Sequence, residues 1–412
     1  MTHAEQPTHT RATARRKVLI SGAGVTGPAL AFWLNRHGHA VTVVEKAATL
    51  RSGGYPVDVR GTALEVVRRM GVLPRLRQAH IDSRRFTFLD PDGGTLASVT
   101  PEAVAGSVAG QDIELRRGDL TDTLHAAVRD DVEFLFNDSI DTLDQSGHGV
   151  DVTFRSGGSR TFDLVIGADG LHSHTRETVF GPEEQFHRYL GYSYAVFTMR
   201  NTLGLSHEVV LWNTPGRAAA LYAVEDSDEV HALLTLARPE PPLDLRAFRD
   251  PHAQRNLFAR AFADAGWEVP GMIAALHDAD DLFGDVASQI RMPRWSRGRV
   301  ALVGDAAYAP SFLTGQGTSL ALVGAYLLAG SLAGRDTATG FAAYEQHARA
   351  FVTANQDRIG VGDARLFPTT AEALERRNDM LRALAAGPAP AGRPAHSALT
   401  LPDFGPASAP GR

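Results

Sequence analysis

An acid and two glycines interrupt the segment RVALVGDAAYAPSFLTGQGTSL, residues 299–320. The apolar run 300–303 has the pattern of a buried strand, and Asp305 follows closely at its end. A helix is expected only after Gly-Gln-Gly at 315–317, with Pro310 stiffening the connection. Free N–H groups at a helix N-terminus stabilise an anion, and glycines let a flat ligand approach them. On its own, the segment also fits an ordinary strand, turn and capped helix with a solvated acid.

A second glycine-rich turn lies near the N-terminus, in the pattern Gly22-Ala-Gly24-Val-Thr-Gly27. It follows the apolar run Lys17–Ser21 and opens a segment with helical spacing, and Glu45 ends the next apolar run about 20 residues on. Such glycines permit a tight turn, approach to a pyrophosphate and close helix–strand contact. Glu45 would accept hydrogen bonds from ribose hydroxyls. This context predicts a dinucleotide site, but it does not separate FAD from NAD, and an incidental turn is the alternative.

A third motif ends another buried strand, in FDLVIGADGLHSHTR, residues 162–176. Asp169 and Gly170 follow the strand, and Ser173 and Arg176 lie near a helix start. With this motif the chain resembles the group A FAD-dependent monooxygenases, the aromatic hydroxylase family typified by para-hydroxybenzoate hydroxylase. Within that family it is most similar to actinobacterial enzymes that tailor polyketides and to tetracycline-inactivating monooxygenases. The resemblance covers roughly residues 17–355.

The resemblance implies a place along FAD for each motif. The first turn and Glu45 would hold the ADP half with Lys46 beside the adenine, and Arg117 in RRGDL would contact the phosphate or ribose side. Asp169 would serve both FAD and a transient nicotinamide, and Asp305 the ribityl or pyrophosphate region. Reduced flavin carries negative charge near N1 and C2=O, which a helix N-terminus stabilises. The cofactor-binding residues expected on this basis are Gly22, Gly24, Gly27, Glu45, Lys46, Arg117, Asp169, Gly170, Asp305, Pro310, Gly315, Gln316 and Gly317.

The reaction that the resemblance implies is a monooxygenation with FAD as cofactor. NADPH or NADH would reduce FAD, and dioxygen would then form a flavin C4a-hydroperoxide that hydroxylates an aromatic or polyketide-type small molecule. The setting would be the tailoring or inactivation of an antibiotic or other secondary metabolite. Such a site needs a mostly apolar pocket with few polar anchors. Candidate substrate-side residues, which could equally be ordinary core, are Tyr192, Tyr194, Trp212, Tyr222, Phe312 and Leu313.

The elements that must position these residues suggest an α/β fold: a Rossmann-like FAD-binding domain with an interleaved β-rich substrate domain, as in para-hydroxybenzoate hydroxylase. We expect a flexible tail over 1–16 and the first part of the FAD-binding domain over 17–180, with about 80–110 contributing to the substrate side. A β-rich substrate domain over 181–291 follows, because alternating apolar runs predict an antiparallel sheet there. The second part of the FAD-binding domain with C-terminal helices is expected over 292–386, and a disordered tail over 387–412.

Composition excludes several classes of function. The formal net charge is −6 without long runs of one sign, so we expect no nucleic-acid or membrane partner. The absence of cysteine excludes thiolate catalysis and cysteine-ligated metals, and no metal site is expected. The polar N-terminus is not typical of a secretory signal, and a cytoplasmic monomer or homodimer is expected.

Several alternatives stay open at this stage. A non-oxygenating FAD-dependent reductase would use the same cofactor motifs, and Baeyer–Villiger insertion or epoxidation would use the same oxidant. A halogenase is disfavoured because no Trp-x-Trp occurs, and a hydrolase because no G-x-S-x-G does. The catalytic residues, including any general base, are unknown. Tyr308 stands where many relatives have His, and packing against the flavin loop is its expected role.

Overall fold

The computed structural model describes residues 15–50, 55–105, 112–242, 244–248, 250–362, 365–387 and 394–405. Its strands, in chain order, are β1 Lys17–Ser21, β2 Ala40–Glu45, β3 Pro56–Val59, β4 Arg85–Leu89, β5 Thr95–Val99, β6 Ile113–Arg116, β7 Glu133–Phe136, β8 Ile140–Gln145, β9 Val150–Phe154, β10 Ser159–Phe162, β11 Leu164–Gly167, β12 His187–Arg200, β13 Glu208–Thr214, β14 Arg217–Ala223, β15 Glu229–Ala237, β16 Phe283–Ile290, β17 Ser296–Arg297 and β18 Val300–Leu302. Its α-helices are α1 Thr26–Arg36, α2 Thr62–Arg69, α3 Leu73–Gln78, α4 Pro101–Ala105, α5 Arg117–Ala126, α6 His174–Phe180, α7 Leu245–Phe248, α8 Pro251–Ala261, α9 Val269–Asp278, α10 Asp305–Tyr308, α11 Gly317–Leu332, α12 Thr337–Gln356 and α13 Ala371–Ala386.

The first layer is a six-stranded sheet in the order β17-β18-β11-β1-β2-β7, parallel apart from β17. Its central strands are largely apolar because both faces of the sheet are covered, one by helices and the other by the strands β8, β9 and β10. The mostly buried helix α11 packs between α1 and α12. The motif-bearing turns after β1, β11 and β18 therefore meet at one edge of this sheet.

The second layer is a seven-stranded mixed sheet in the order β16-β12-β15-β14-β13-β4-β5. One face, here called the outer face, packs against α8 and α9 through Phe258, Phe262 and Met272. The other, here called the inner face, packs against Phe367 and the helix α13. Strands β4 and β5 come from the segment before the main block and join it at one edge. The predicted α/β architecture with an interleaved β-rich layer is confirmed, whereas the exact domain limits stay predictions.

Two smaller sheets complete the fold: the meander β10-β9-β8 and the pair β3-β6. The expectation of a disordered tail over 387–412 is corrected for 394–405, which pack against the body of the protein. The Phe404 ring lies 5.4 Å from that of Tyr326 on α11, and Leu401 is buried. The Pro- and Ala-rich composition around Leu401 and Phe404 gave no sequence signal that these two apolar side chains would pack. The expected N-terminal tail lies outside the described residues up to residue 14.

Within the described ranges, no helix combines the length and hydropathy needed to cross a membrane.

Candidate cofactor and active site

The loop between β1 and α1 packs so tightly against neighbouring backbone that only glycine fits at two of its three motif positions. Gly22 has φ +105°, and a Cβ there would lie 2.6 Å from the Ala168 carbonyl oxygen. A Cβ on Gly27 would collide with the Gly22 carbonyl oxygen. Gly24 is different, because the nearest atom of the described residues to a Cβ there would be Nη2 of Arg117, at 3.8 Å. The loop thus leaves open space at Gly24, beside a guanidinium, where a phosphate group would fit.

The acid at the end of β2 is held by this same loop. Glu45 accepts hydrogen bonds from the backbone N–H of Ala23 at 2.8 Å and of Ala47 at 2.9 Å. Its carboxylate is therefore fixed at the carboxyl edge of the sheet, where a ribose would be recognised. Lys46 is exposed next to it.

The Asp-Gly turn after β11 is a hydrogen-bonded start for α6. Asp169 accepts bonds from the Ser173 hydroxyl at 2.5 Å and from the backbone and hydroxyl of Thr175 at 3.0 and 2.9 Å. Gly170 follows with φ +84°. Asp169 thus has a clear role in shaping the turn, and the direct contact with FAD or nicotinamide stays a prediction.

Arg176 links the two acid-containing turns. Its side chain is fully buried and donates to the carbonyl oxygens of Leu171 and Ala306 and to Glu183. Ala306 belongs to the turn of Asp305, so the guanidinium clamps the Asp-Gly turn to the Gly-Asp turn. The sequence motif contains Arg176, but no local pattern indicated this role.

The segment that begins with Asp305 forms a second wall of the same space. Burial raises the pKa of Asp305, and the nearby Arg117 opposes that shift. A Cβ on Gly317, the first residue of α11, would lie 3.8 Å from Oδ1 of Asp305. Gly315 adopts φ +63°, a conformation that glycine reaches without strain. The first turn of α11, whose N–H groups have no partner within the helix, therefore begins beside the Asp305 carboxylate.

Gln316 and Pro310 support this segment from within. Gln316 is buried, and its Nε2 donates to the Gly315 carbonyl oxygen at 2.9 Å. Its Oε1 is buried without a partner among the described residues. The Pro310 carbonyl oxygen accepts a bond from Gln289 at 3.2 Å. The loop is thus anchored to β16 of the second sheet. Oε1 of Gln316 is an acceptor that an N–H of a bound ligand could satisfy.

These contacts place several predicted cofactor residues in one continuous row, here called the cofactor strip. Gly24 faces Arg117, Arg117 lies near Asp305, and Asp305 lies beside Gly317. The strip offers a helix N-terminus and a guanidinium for phosphates, an acid for a ribose, and a second helix N-terminus with glycines for a planar ring. These are the donors and acceptors that an extended dinucleotide such as FAD requires, so the residues present fit FAD.

Five of the six candidate substrate residues lie on the inner side of the second sheet. Tyr194 is buried there against Phe312, with ring centroids 4.2 Å apart, and Leu313 joins the same apolar cluster. Tyr192 donates from its hydroxyl to the Phe367 carbonyl oxygen at 3.0 Å. Tyr222 packs into the same cluster on β14.

Trp212, the sixth candidate substrate residue, does not lie on the inner side of the second sheet. Its neighbours along β13 alternate between faces, and Trp212 lies on the outer face within the apolar cluster under α8 and α9. Its indole N–H donates to the Pro91 carbonyl oxygen at 3.0 Å. Alternation along a strand was visible in the sequence, but which face would meet the cofactor domain was not.

Tyr308 points away from the cofactor strip. Its ring lies 4.6 Å from that of Trp295, and its hydroxyl accepts a hydrogen bond from Tyr344 at 3.1 Å. A Cβ on Gly324 of α11 would collide with this hydroxyl. Burial raises the pKa of Tyr308 to about 12, so it is a neutral phenol that packs beneath α11.

A buried acid that the sequence did not single out lies near Tyr222. Glu114 on β6 accepts a hydrogen bond from the Ser83 hydroxyl at 3.0 Å, and the Ser83 and Tyr222 hydroxyl oxygens are 2.7 Å apart. Burial raises the pKa of Glu114 to about 7, and the neighbouring charge of Asp58 acts in the same direction. A Cβ on Gly315 would lie 3.5 Å from Oδ2 of Asp58, so this acidic group borders the loop before α11.

The fold and this strip define a flavoprotein oxidoreductase of two interleaved layers. The chain belongs to the FAD binding domain family, whose model matches residues 15–359. An uncharacterised protein of Mycobacterium tuberculosis is 46% identical over 344 residues, which are 83% of this chain and 92% of that protein. A flavin-dependent monooxygenase of Legionella longbeachae is 36% identical over 372 residues, 89% of this chain and 94% of that protein.

Among solved structures, the tetracycline destructase Tet(55) superposes with a TM-score of 0.81 at 34% identity, covering 94% of this chain and 99% of that chain. The expected membership of the FAD-dependent monooxygenases, an oxidoreductase class, is thereby confirmed.

Proposed function

We propose that this protein hydroxylates an aromatic or polyketide-type small molecule with FAD, NADPH or NADH, and dioxygen. One oxygen atom enters the substrate, and the other leaves as water with one proton from solvent while the nicotinamide is oxidised. Bound FAD would supply the activation of dioxygen at its C4a position. A cytoplasmic location and a monomeric or homodimeric state are part of this proposal.

The observation that carries the proposal is the common strip of glycine turns, Arg117, Asp305 and the first turn of α11, directly beside Tyr194 and Phe312. The chain's own task is to bind and orient. Arg117 and the turn at Gly24 would hold phosphates, and the N–H groups of α11 would stabilise negative charge on the ring. Tyr194 and Phe312 would exclude water from the space next to that ring.

The substrate class rests on two supports. The inner side of the second sheet presents aromatic and apolar side chains, as a pocket for a flat organic molecule requires. The likeness to a tetracycline destructase at 34% identity favours a polycyclic polyketide among such molecules.

Glu114 is our candidate for a proton acceptor on the substrate side. A general base works best with a pKa near the working pH, and burial places the pKa of Glu114 at about 7. The Ser83 hydroxyl hydrogen-bonds both Oε2 of Glu114 and the Tyr222 hydroxyl, so a proton released on the inner side could reach Oε2 through these hydroxyls.

The test is the purified protein with a panel of aromatic polyketides. We expect a yellow protein with bound FAD whose NADPH oxidation accelerates with a substrate, and whose product gains one oxygen atom by mass spectrometry. A colourless protein that cannot be reconstituted with FAD contradicts the proposal. Turnover without consumption of dioxygen would instead indicate the reductase alternative, and a ring-expanded or epoxide product the Baeyer–Villiger or epoxidising one.

A further inference from the structure

A buried arginine on the inner face of the second sheet has no acidic partner among the residues that the structure describes. Arg377 on α13 is only 5% exposed, because it belongs to the face of that helix that packs toward the sheet, with Leu374 and Leu381. Its guanidinium carbon lies 5.1 Å from the ring centroid of Phe88 on β4. Arginine is rarely buried unless its charge is compensated.

The polar contacts of Arg377 orient its guanidinium but do not neutralise it. Nε donates to Oδ1 of Asn378 and Nη1 to Oδ1 of Asn213, each at 3.0 Å. Both partners are neutral amides. Nη2 is buried with no partner in the described part of the chain. Burial lowers the pKa of Arg377 to about 10, and no carboxylate of the described residues opposes that shift.

Arg377 lines a cavity of about 260 Å³ between α13 and the segment before it. Two further arginines, Arg365 and Arg376, lie on its wall, and its described lining includes no acid. The neutral lining residues include Pro368, Thr369, Ala373 and Met380. The cavity is therefore positively charged and partly apolar, which suits an anion attached to a hydrocarbon framework.

Arg377, on the wall of this cavity, reaches the same face of the second sheet that carries Tyr194. Asn213, which holds Nη1 of Arg377, is in register with Ala218, Thr235 and Tyr194 on successive strands. Cross-strand partners share a face, so these residues form one row on the inner face. Three strand spacings of roughly 4.8 Å separate Asn213 from Tyr194, a span of about 14 Å. Thr235, in the middle of the row, also has a buried hydroxyl without a partner in the described part.

We propose that Arg377 binds the anionic group of the substrate, a carboxylate or an ionised enol, at the end of the row away from Tyr194. This inference rests on the proposed function for the identity of the ligand as substrate. The guanidinium fork would meet two oxygens of a delocalised anion through Nη2 and the remaining N–H of Nη1. The rest of the molecule would extend along the row past Thr235 toward Tyr194 and Phe312. The substrate is then an anionic polycyclic compound rather than a neutral one.

The test compares two ligands of equal shape, anthraquinone-2-carboxylate and anthraquinone-2-carboxamide, by titration calorimetry with the FAD-loaded protein. The wild type is expected to bind the acid at least tenfold more tightly than the amide. Arg377→Gln should reduce that ratio to about one, and Arg377→Lys should give an intermediate ratio because it keeps charge but loses the fork. Arg382→Gln, which removes an exposed arginine paired with Glu375 and Asp379, should leave the ratio unchanged.

The outcomes are separable from those of the proposed function, because binding is measured without turnover. Equal affinity for acid and amide in the wild type, or failure of the acid to bind at millimolar concentration, contradicts the anion site. A preserved ratio in Arg377→Gln contradicts it as well. A charge-dependent ratio in a protein that never consumes dioxygen would leave the anion site standing and overturn the proposed function instead. The melting temperature of ligand-free Arg377→Gln should match or exceed that of the wild type, whereas a purely structural arginine would lower it.

Discussion

His172 connects the two layers of the molecule: its Nε2 lies 2.7 Å from Oδ2 of Asp285 on β16, and its Nδ1 lies 2.8 Å from Oε1 of Glu183. Asp285 is in register with Tyr194, so this contact lies at the opposite end of the inner row from Arg377. Burial alone would lower the pKa of His172, but the two carboxylates overcome that effect and raise it. The imidazolium therefore joins the Asp-Gly turn to the second sheet.

His172→Gln should weaken the protein mainly at acidic to neutral pH. Because the folded-state pKa is raised, the stabilisation is fully present below the usual value near 6.5 and is lost as pH rises through the raised value. We expect a loss of about 1–3 kcal/mol in the free energy of unfolding at pH 6 and a smaller loss at pH 9. Urea unfolding at both pH values measures it, with the exposed His277→Gln as control. An equal loss at both pH values would rule out a charged bridge.

Gly24→Ala should separate cofactor binding from folding. Within the described part of the chain the added Cβ meets no atom closer than 3.8 Å, so ligand-free stability should change by less than about 1 kcal/mol. The same methyl group would intrude where the phosphates are expected, and the Kd for FAD should rise about tenfold or more, equivalent to about 1.4 kcal/mol.

Gly27→Ala is the matched comparison, because its Cβ collides with the Gly22 carbonyl oxygen and should destabilise the ligand-free fold itself. Thermal unfolding of the ligand-free proteins and FAD titration by absorbance check both. Unchanged FAD affinity in Gly24→Ala would move the phosphate site elsewhere.

Glu114 should make stability fall as pH rises from about 5 to 8. Its pKa is raised to about 7, so between its usual value near 4.5 and about 7 the folded state holds a proton that the unfolded state has lost. Stability then declines with pH by at most about 1.4 kcal/mol per pH unit from this group. Glu114→Gln should be more stable than the wild type at pH 8 and should lack this part of the slope.

The exposed Glu240→Gln serves as the control for Glu114→Gln and should reproduce the wild-type profile. In turnover assays, Glu114→Gln should also lose the pH dependence near 7 of kcat/KM. A profile that keeps its inflection in the variant would exclude Glu114 as the proton acceptor.

Tyr308→Phe should cost stability without touching the cofactor. It removes the acceptor of the Tyr344 hydroxyl in a buried site, which costs about 1 kcal/mol. Tyr344 keeps the Leu302 carbonyl oxygen at 3.2 Å as a second acceptor, which limits the loss. The Kd for FAD and the turnover rate should remain those of the wild type. A changed flavin absorbance spectrum would show that the phenol acts on the cofactor after all.

The sequence predicted those parts of the site that local backbone chemistry dictates. The turns at Gly22, Asp169 and Asp305 follow apolar strands, and parallel strands place such turns at one edge whatever the rest of the fold does. The α/β architecture and the family followed from the same motifs and are confirmed.

The sequence could not predict features that depend on which surfaces meet. Arg377 occurs in the segment ERRND, which is typical of a solvated helix face, and only the packing of α13 buries it. Glu114 and Tyr222 are 108 residues apart in the chain, so their proximity had no local signal. Trp212 and its neighbour Asn213 point to opposite faces, and the face that meets the cofactor layer is decided by tertiary contacts.

The measurement that tests the central claim most directly is turnover under ¹⁸O-labelled dioxygen. The FAD-loaded protein is supplied with NADPH and an aromatic polyketide that accelerates NADPH oxidation, and the product is analysed by mass spectrometry. This account predicts one ¹⁸O atom in the product and loss of that product in Gly24→Ala at limiting FAD. A product without the label, or equal turnover when dioxygen is excluded, would contradict it.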